Sequence, residues 1–207
     1  MSPVNAIKFT LFAKIFRIIF GILLLSQYGR ILGPEILGVF VIMLNFIQLS
    51  SSLIEGGTVN AYLKSDEDSN ISNLFYTYSV FLGILLAATL FLIKAWIEEF
   101  FSVSYSNLTY VLFCLYFIVS ATIVQKRAFL LKSKRFDDIF VVETISLLVS
   151  GTVSLVMIYN GFGVISLVIK YLLEVSLISI IYRYKYKLRN YIVIRSINKK
   201  EKDLFWY

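Results

Sequence analysis

The sequence contains no histidine and only one cysteine, Cys114. The absence of histidine excludes Ser-His catalytic triads, histidine metal sites and acid–base chemistry by an imidazole. A single cysteine excludes a disulfide within the chain. Charged residues are also scarce, at 16% of the composition, whereas 58% of the residues are hydrophobic. That balance leaves too few polar side chains to cover a soluble domain, so the composition indicates an integral membrane protein.

The hydrophobic residues are concentrated in six runs, which we predict to be transmembrane helices. Most runs are long enough to cross a hydrocarbon core of about 30 Å at about 1.5 Å per residue. The short fourth run is expected either to be extended by Ser106 and Asn107 or to be tilted less. The sequence therefore predicts an all-α bundle of about six transmembrane helices at residues 1–190, followed by a basic tail at 191–207. The six runs are Ala6–Gln27, Ile36–Val59, Asn73–Ile93, Leu108–Val124, Ile139–Tyr159 and Val164–Tyr182.

Lysine and arginine are distributed unevenly between the loops of this predicted bundle. If both termini are cytoplasmic, 17 of the 20 basic residues lie on the cytoplasmic side. Only Arg30 and Lys94 then lie outside, and Lys170 falls within the sixth run. Such a bias is a strong indicator of orientation in the membrane. It also explains the net charge of +7 without a nucleic-acid partner, so we expect membrane lipid and no nucleic acid as a partner.

Four charged residues inside the runs are the candidate substrate-binding residues. Lys14 and Arg17 lie one turn apart in the first run, and Lys170 and Glu174 lie one turn apart in the sixth. A charge near the bilayer centre costs at least about 2.5–3.5 kcal/mol, so it requires a partner or a wet cavity. One interpretation is a hydrated, partly cationic cavity that accepts an anionic headgroup. The alternative is an Arg17–Glu174 or Lys170–Glu174 pair that only holds the bundle together.

Further polar residues border the predicted membrane. Asn45 and Gln48, one turn apart in the second run, fit either the same cavity or hydrogen bonds between helices. Glu55 and Glu143 lie near predicted cytoplasmic ends, where they can reach water. The basic segment Gln125–Phe136 is expected to lie as a helix at the interface or to extend the fourth span. It suits contact with anionic lipid, or with an anionic substrate as it enters.

Glycines within the runs are expected to permit close packing between helices. They are Gly21, Gly38, Gly83 and Gly151.

Sequence motifs for cofactors and catalysis are missing from the chain. There is no cluster with metal-ligand spacing, no Gly-rich phosphate loop and no nucleophile elbow, so no metal or cofactor is predicted. A membrane enzyme such as a lipid-phosphate transferase is a third possibility beside a transporter and a non-catalytic protein. Its only acidic pair at the membrane face is Asp137-Asp138, which lacks a positioned acid–base set. We therefore predict that the chain is not an enzyme.

Four stretches, in this order, carry a family resemblance: GRILGPEILGVFVIMLNFIQLSSSLIEGGTVNAYLKS at Gly29–Ser65, WIEEFFS at Trp96–Ser102, VQKRAFLLKSKRF at Val124–Phe136 and GFGVISLV at Gly161–Val168. Together they resemble the polysaccharide transporters of the multidrug/oligosaccharidyl-lipid/polysaccharide exporter superfamily, which include O-antigen and colanic-acid flippases. One departure is that the family usually has an acidic-Gly-x-Gly run where this chain has Glu55-Gly56-Gly57.

The resemblance implies a transporter of the bacterial inner membrane that serves polysaccharide, lipopolysaccharide or O-antigen biosynthesis. It would flip an undecaprenyl-pyrophosphate-linked oligosaccharide by alternating access between two lobes, with the pyrophosphate drawn to Arg17, Lys14 or Lys170. The chain is expected to correspond to the N-terminal lobe of such a two-lobe fold, in which residues 191–207 are either a basic cytoplasmic tail or the start of the linker between the lobes. An alternative is an inactive lobe or an assembly partner for other polysaccharide-synthesis proteins, and a multidrug substrate is also compatible with the superfamily.

Overall fold

The computed structural model describes residues 3–64, 69–101 and 105–186. Within these ranges the chain forms seven α-helices and no β-strand. The predicted basic tail at 191–207 lies outside the described residues. The helices are α1 (Pro3–Leu32), α2 (Pro34–Lys64), α3 (Ser69–Leu92), α4 (Lys94–Phe101), α5 (Asn107–Lys132), α6 (Phe136–Tyr159) and α7 (Val164–Lys185).

Each of the six predicted runs lies in one long helix, except that α3 ends one residue before Ile93. The long helix α2 has 19 consecutive uncharged residues, from Ile36 to Ile54. The all-α membrane bundle predicted from the sequence is therefore confirmed, and the chain is a multi-pass membrane protein. Five segments are long and apolar enough to cross a membrane, namely Ile15–Leu32, Ser72–Leu92, Asn107–Lys132, Phe136–Tyr159 and Val164–Lys185.

The basic segment after the fourth predicted span continues α5 as far as Lys132. Of the two arrangements that the sequence left open, the extended span is the one observed. The helix begins where the side chain of Ser106 caps the N–H of Thr109. It contains no proline or glycine, and it ends where Lys134 adopts a positive φ of 55°. The extension brings charged residues of α5 into the bundle.

The short helix α4 was not predicted as a separate element. It follows a one-residue break at Ile93 and buries only Ile97 among its eight residues. The rings of Trp96 and Phe100 stack with centroids 5.2 Å apart, and both are exposed. An amphipathic helix with exposed aromatic rings is typical of a segment at the membrane interface.

Two tight connections join long helices. Gly33 alone separates α1 from α2, and its φ of +84° is a conformation that glycine adopts without strain. Pro34 then begins α2, a position that tolerates its missing N–H. Between α6 and α7, Gly161 has a φ of +82° and Phe162 N–H donates to the carbonyl of Met157. This arrangement closes the end of α6 as helix-terminating glycines commonly do.

The long helices pack side by side in the order α1, α2, α3, α5, α7 and α6, and α6 contacts α1 again. α5 also contacts α2 directly. The arrangement is therefore a closed ring in which α1, α2, α5, α7 and α6 can border one internal space.

Buried hydrogen bonds of hydroxyl groups connect three of these helices. The hydroxyl of Tyr28 on α1 donates to Oγ of Ser154 on α6 at 3.0 Å. Ser154 in turn donates to the carbonyl of Ser166 on α7 at 2.8 Å. All three side chains are buried, so one hydroxyl pair links three helices.

The outward faces of α1 and α3 are apolar, as lipid contact requires. On α1, Ile15, Ile18, Ile19 and Ile22 follow the spacing of one helix face, and each is more than half exposed. Phe81, on α3, is exposed in the same way. Continuous apolar surfaces of this kind are unfavourable in water and favourable in a bilayer.

The prediction that glycines permit close packing holds at two of four positions. A Cβ at Gly83 would lie 2.7 Å from Cβ of Ala121, and one at Gly151 would lie 2.9 Å from the ring of Phe20. At Gly21 and Gly38 no described atom lies within 4 Å of such a Cβ. The pattern of glycines therefore does not reveal by itself which of them face another helix.

We expect Gly83→Ala to destabilise the bundle by about 1–2 kcal/mol, because overpacking between α3 and α5 outweighs the gain in helix propensity. Gly21→Ala is the matched control and should leave stability unchanged or slightly raised. Heating the detergent-solubilised protein with a thiol-reactive dye measures the effect, because Cys114 of α5 contacts the carbonyl of Ala87 on α3. Equal unfolding midpoints for the two variants would contradict the packing described here.

Candidate functional site

Polar residues recur along one face of α2 and one face of α5. On α2, Gln48, Ser52 and Glu55 are spaced four and three residues apart, so they share a face. On α5, Ser120 and Arg127 are seven residues apart and lie in line as well. α2 and α5 are in contact, so these two polar faces meet inside the ring of helices.

A cavity of about 390 Å³ lies between these faces. Five helices contribute to it: α1, α2, α5, α6 and α7. Its lining combines charged, hydroxyl and apolar side chains, which are Arg17, Gln48, Ser51, Ser52, Glu55, Tyr116, Ser120, Ile123, Val124, Arg127, Glu143, Glu174, Val175 and Ile178.

A second cavity, of about 300 Å³, adjoins the first and shares Ser52, Glu55 and Arg127 with it. It continues along α2 and α5 to Asn60 and Leu131, near the end where both helices finish. Together the two cavities form a polar path from the middle of the bundle toward this end. The loops predicted to be cytoplasmic begin there.

A chain of ion pairs crosses the cavity and connects four helices. Nη2 of Arg17, on α1, lies 2.8 Å from Oε2 of Glu143, on α6. Nε of Arg127, on α5, lies 3.1 Å from the other oxygen of the same carboxylate. Nη1 of Arg127 also lies 3.3 Å from Oε1 of Glu55, on α2. Glu143 is therefore shared by two guanidinium groups, and Arg127 is shared by two carboxylates.

Burial differs along this chain of charges. The side chain of Glu143 is 14% exposed, whereas that of Arg17 is 44% exposed. A carboxylate removed from water to this degree needs cations beside it, because an unpaired buried charge is strongly destabilising. Glu143 is thus the most buried member of the network, and both guanidinium groups beside it are more exposed.

The sixth predicted span contains a second, more buried ion pair. Nζ of Lys170 lies 3.1 Å from Oε2 of Glu174, one turn away on α7. The side chains are 9% and 15% exposed. This is one of the two pairs that the sequence suggested as structural contacts. The other, Arg17 with Glu174, is not formed, because Arg17 pairs with Glu143, although Arg17 and Glu174 line the same cavity.

The four predicted substrate-binding residues therefore occupy different positions. Arg17 and Glu174 line the cavity, and Lys170 reaches it only through its pair with Glu174. Lys14 lies in α1 one turn before Arg17, but its side chain is outside the described part of the structure. Their role in substrate binding stays a prediction.

Sequence reasoning did not select Arg127 as a site residue and gave Glu143 no partner. Arg127 is one of several basic residues in its segment, and its neighbour Lys126 faces away from the cavity to donate to Ser179 at 3.2 Å. The seven-residue spacing from Ser120 to Arg127, which places both residues on one face of α5, is the pattern that could have indicated Arg127 as a site residue. The partner of Glu143 could not be read from the sequence, because Arg17 is 126 residues away.

The charges around the cavity balance. Among the described side chains, Arg17 and Arg127 line the cavity together with Glu55, Glu143 and Glu174, and Lys170 pairs with Glu174 from behind it, so that each of the six is within ion-pair distance of another. The cavity is therefore of mixed charge, whereas the sequence suggested a partly cationic one.

Among the described residues there is no group of three or more acidic or cysteine side chains that could hold a metal ion.

The family model described as polysaccharide biosynthesis protein matches residues 28–207. The chain belongs to this family. The resemblance noted in the sequence is thereby confirmed. The match includes Glu55, Arg127 and Glu143 of the cavity but begins after Arg17. No curated protein and no solved structure gave a match.

We expect Lys170→Met and Glu174→Met each to destabilise the protein by about 3 kcal/mol, because either change leaves one buried charge unpaired. The double variant should recover most of the lost stability, since no unpaired charge then remains. Thermal unfolding followed through Cys114 labelling measures all three variants. If the double variant lost as much stability as the two single variants together, the two charges would not be stabilising each other.

Proposed function

We propose that this protein is a flippase that moves a lipid-linked oligosaccharide across the inner membrane of a bacterium during polysaccharide biosynthesis. The observation that carries the proposal is a polar cavity with two guanidinium groups inside a bundle whose outer faces are apolar. Membership of the polysaccharide biosynthesis family supports the substrate class.

The side chains of the cavity suit a diphosphate attached to a sugar. Guanidinium groups bind phosphate oxygens in pairs of hydrogen bonds, and Arg17 and Arg127 lie on opposite sides of one carboxylate. Gln48, Ser51 and Ser120 add amide and hydroxyl groups that can bind sugar hydroxyls. A volume of about 390 Å³ is in the range of ordinary ligand pockets, so we propose that it holds the diphosphate and the adjoining sugar.

We propose that the substrate reaches the cavity from the cytoplasmic leaflet. The adjoining cavity runs along α2 and α5 to Asn60 and Leu131. At the same end, Lys132 lies over the ring of Tyr62, and Lys185 pairs with Asp138. Basic groups at this end would attract an anionic headgroup, while the prenyl chain stays in the surrounding lipid.

No enzymatic step is part of this proposal. The chain has no histidine, and the carboxylates that line the cavity are paired with cations. A second candidate, an assembly partner without transport, is favoured by the balance of charges in the cavity. In that case the ion pairs would serve only to hold the helices together.

Arg17→Ala and Arg127→Ala should each reduce surface polysaccharide about tenfold or more when the protein is expressed in a strain that depends on it, since about 1.4 kcal/mol or more of binding energy is lost with each guanidinium. Arg30→Ala is the matched control, because Arg30 is an exposed arginine in the last turn of α1 that does not line the cavity. Immunoblots of polysaccharide and of membrane-inserted protein give the readout. Normal polysaccharide from both variants at normal protein levels would favour the assembly partner.

The proposed orientation predicts which turns face the cytoplasm. In a Cys114→Ala background, Phe162→Cys between α6 and α7 should react with a membrane-impermeant maleimide on intact spheroplasts. Lys134→Cys, in the turn between α5 and α6, should react only after the membrane is permeabilised. Both side chains are exposed, so accessibility reports the side of the membrane. The reverse pattern would overturn the assignment of cytoplasmic termini.

A further inference from the structure

The two oxygens of Glu143 are held by two different arginines. Oε2 accepts a hydrogen bond from Nη2 of Arg17 at 2.8 Å, and Oε1 lies 3.1 Å from Nε of Arg127, which is an ion-pair contact without hydrogen-bond geometry. An anionic tetrahedral phosphate bridging two guanidinium groups presents its oxygens in the same way. The carboxylate of Glu143 therefore occupies the position that best suits a phosphate group in this cavity.

We propose that Glu143 is an internal counter-ion that a phosphate of the substrate displaces from Arg17 and Arg127. The inference rests on the proposed function, because it assumes a diphosphate-bearing substrate. It explains why a cavity with two arginines suited to an anion has no net positive charge among its described side chains. The two guanidinium groups that would bind the phosphate are present, but the carboxylate of Glu143 neutralises them.

A second observation supplies a place for the displaced carboxylate. The hydroxyl of Tyr182 is fully buried and has no hydrogen-bond partner within the described part of the structure. Tyr182 packs in one buried cluster with Val142, which precedes Glu143 on α6, and with Ile178, which lines the cavity, so its side chain lies close to the ion-pair network. A buried, unpaired O–H is costly, and a carboxylate that turns toward it would remove that cost. In the proposed exchange, Glu143 therefore moves from the two arginines to the hydroxyl of Tyr182 when the phosphate binds.

The exchange has a consequence for the helices. Glu143 ties α6 to α1 through Arg17 and to α5 through Arg127. When a phosphate takes both arginines, these two ties to α6 are released, whereas the anion keeps α1 and α5 together. Binding of the headgroup would then change which helices are held to one another, and differential contacts of this kind are what shifts a conformational equilibrium.

The charged and titratable groups around Glu143 come from every neighbouring helix of the cavity. Arg17 comes from α1, Glu55 from α2, Arg127 from α5, and Glu174 and Tyr182 from α7. Of these, only the two arginines lie within ion-pair distance of Glu143. The competition that we propose is therefore confined to Arg17 and Arg127.

Isothermal titration of the full chain in lipid nanodiscs with farnesyl diphosphate tests the exchange. Glu143→Gln should bind about tenfold more tightly than the unmodified protein, because the competitor for the arginines loses its charge and a larger fraction of the protein can bind. Glu98→Gln is the matched control, since Glu98 pairs with Lys94 outside the cavity. This variant should bind farnesyl diphosphate with the affinity of the unmodified protein.

Tyr182→Phe should bind about threefold to tenfold more weakly, since the displaced carboxylate loses its hydrogen-bond donor. Tyr184→Phe, at an exposed tyrosine of the same helix, should bind as the unmodified protein does. Opposite shifts in affinity for Glu143→Gln and Tyr182→Phe are the expected result. A purely structural role for Glu143 would make Glu143→Gln bind more weakly.

The outcomes separate this inference from the proposed function. If Arg17→Ala and Arg127→Ala bind as the unmodified protein does, the cavity does not bind the diphosphate and the proposed function fails. If those variants bind more weakly but Glu143→Gln binds equally or more weakly than the unmodified protein, only the exchange is overturned. Should Glu143→Gln not fold, Glu143→Asp replaces it, because its shorter side chain loosens both contacts and is also expected to tighten binding.

Discussion

A charge inside a lipid bilayer requires an opposite charge or water beside it, and this protein supplies opposite charges in one place. Arg17, Arg127 and Glu143 come from three helices and meet at the cavity of about 390 Å³ inside the ring. None of them is stable there alone, because an unpaired ion at that depth costs several kcal/mol. The positions of α1, α5 and α6 around the cavity, and hence the cavity itself, depend on this mutual neutralisation.

The sequence was most informative where a property repeats along the chain. Long apolar runs define the transmembrane helices, and Gly33-Pro34 and Asn160-Gly161 mark two of the turns between them. These features follow from local chemistry, that is, from the hydrophobic length of a segment and the backbone conformations open to glycine and proline. The end of α5 at Lys132 was less certain, since charged residues suit either a helix in the bundle or one at the interface.

Features that depend on contacts between distant segments were not predictable. Arg17 and Glu143 were both noticed as polar residues of their spans, but nothing local indicates that they meet across 126 residues. The glycines illustrate the same limit, because Gly83 faces α5 whereas Gly21 faces no described atom, and their local sequences are similarly apolar. Arg127 was hidden by its basic neighbours, which suggested a surface segment.

The single-residue connection between α1 and α2 affects one of these ion pairs, the contact between Glu55 and Arg127. Glu55 lies 21 residues beyond the first residue of α2, or about 32 Å from it at about 1.5 Å per residue. At that distance a rotation of only about 6° about Gly33 moves Glu55 by about 3 Å, by the geometry of a rigid helix. The contact between Glu55 and Arg127 is 3.3 Å long. By this geometry alone, a small change in the backbone at Gly33, which has left-handed geometry, is enough to make or break the charge contact of Glu55 in the second half of α2.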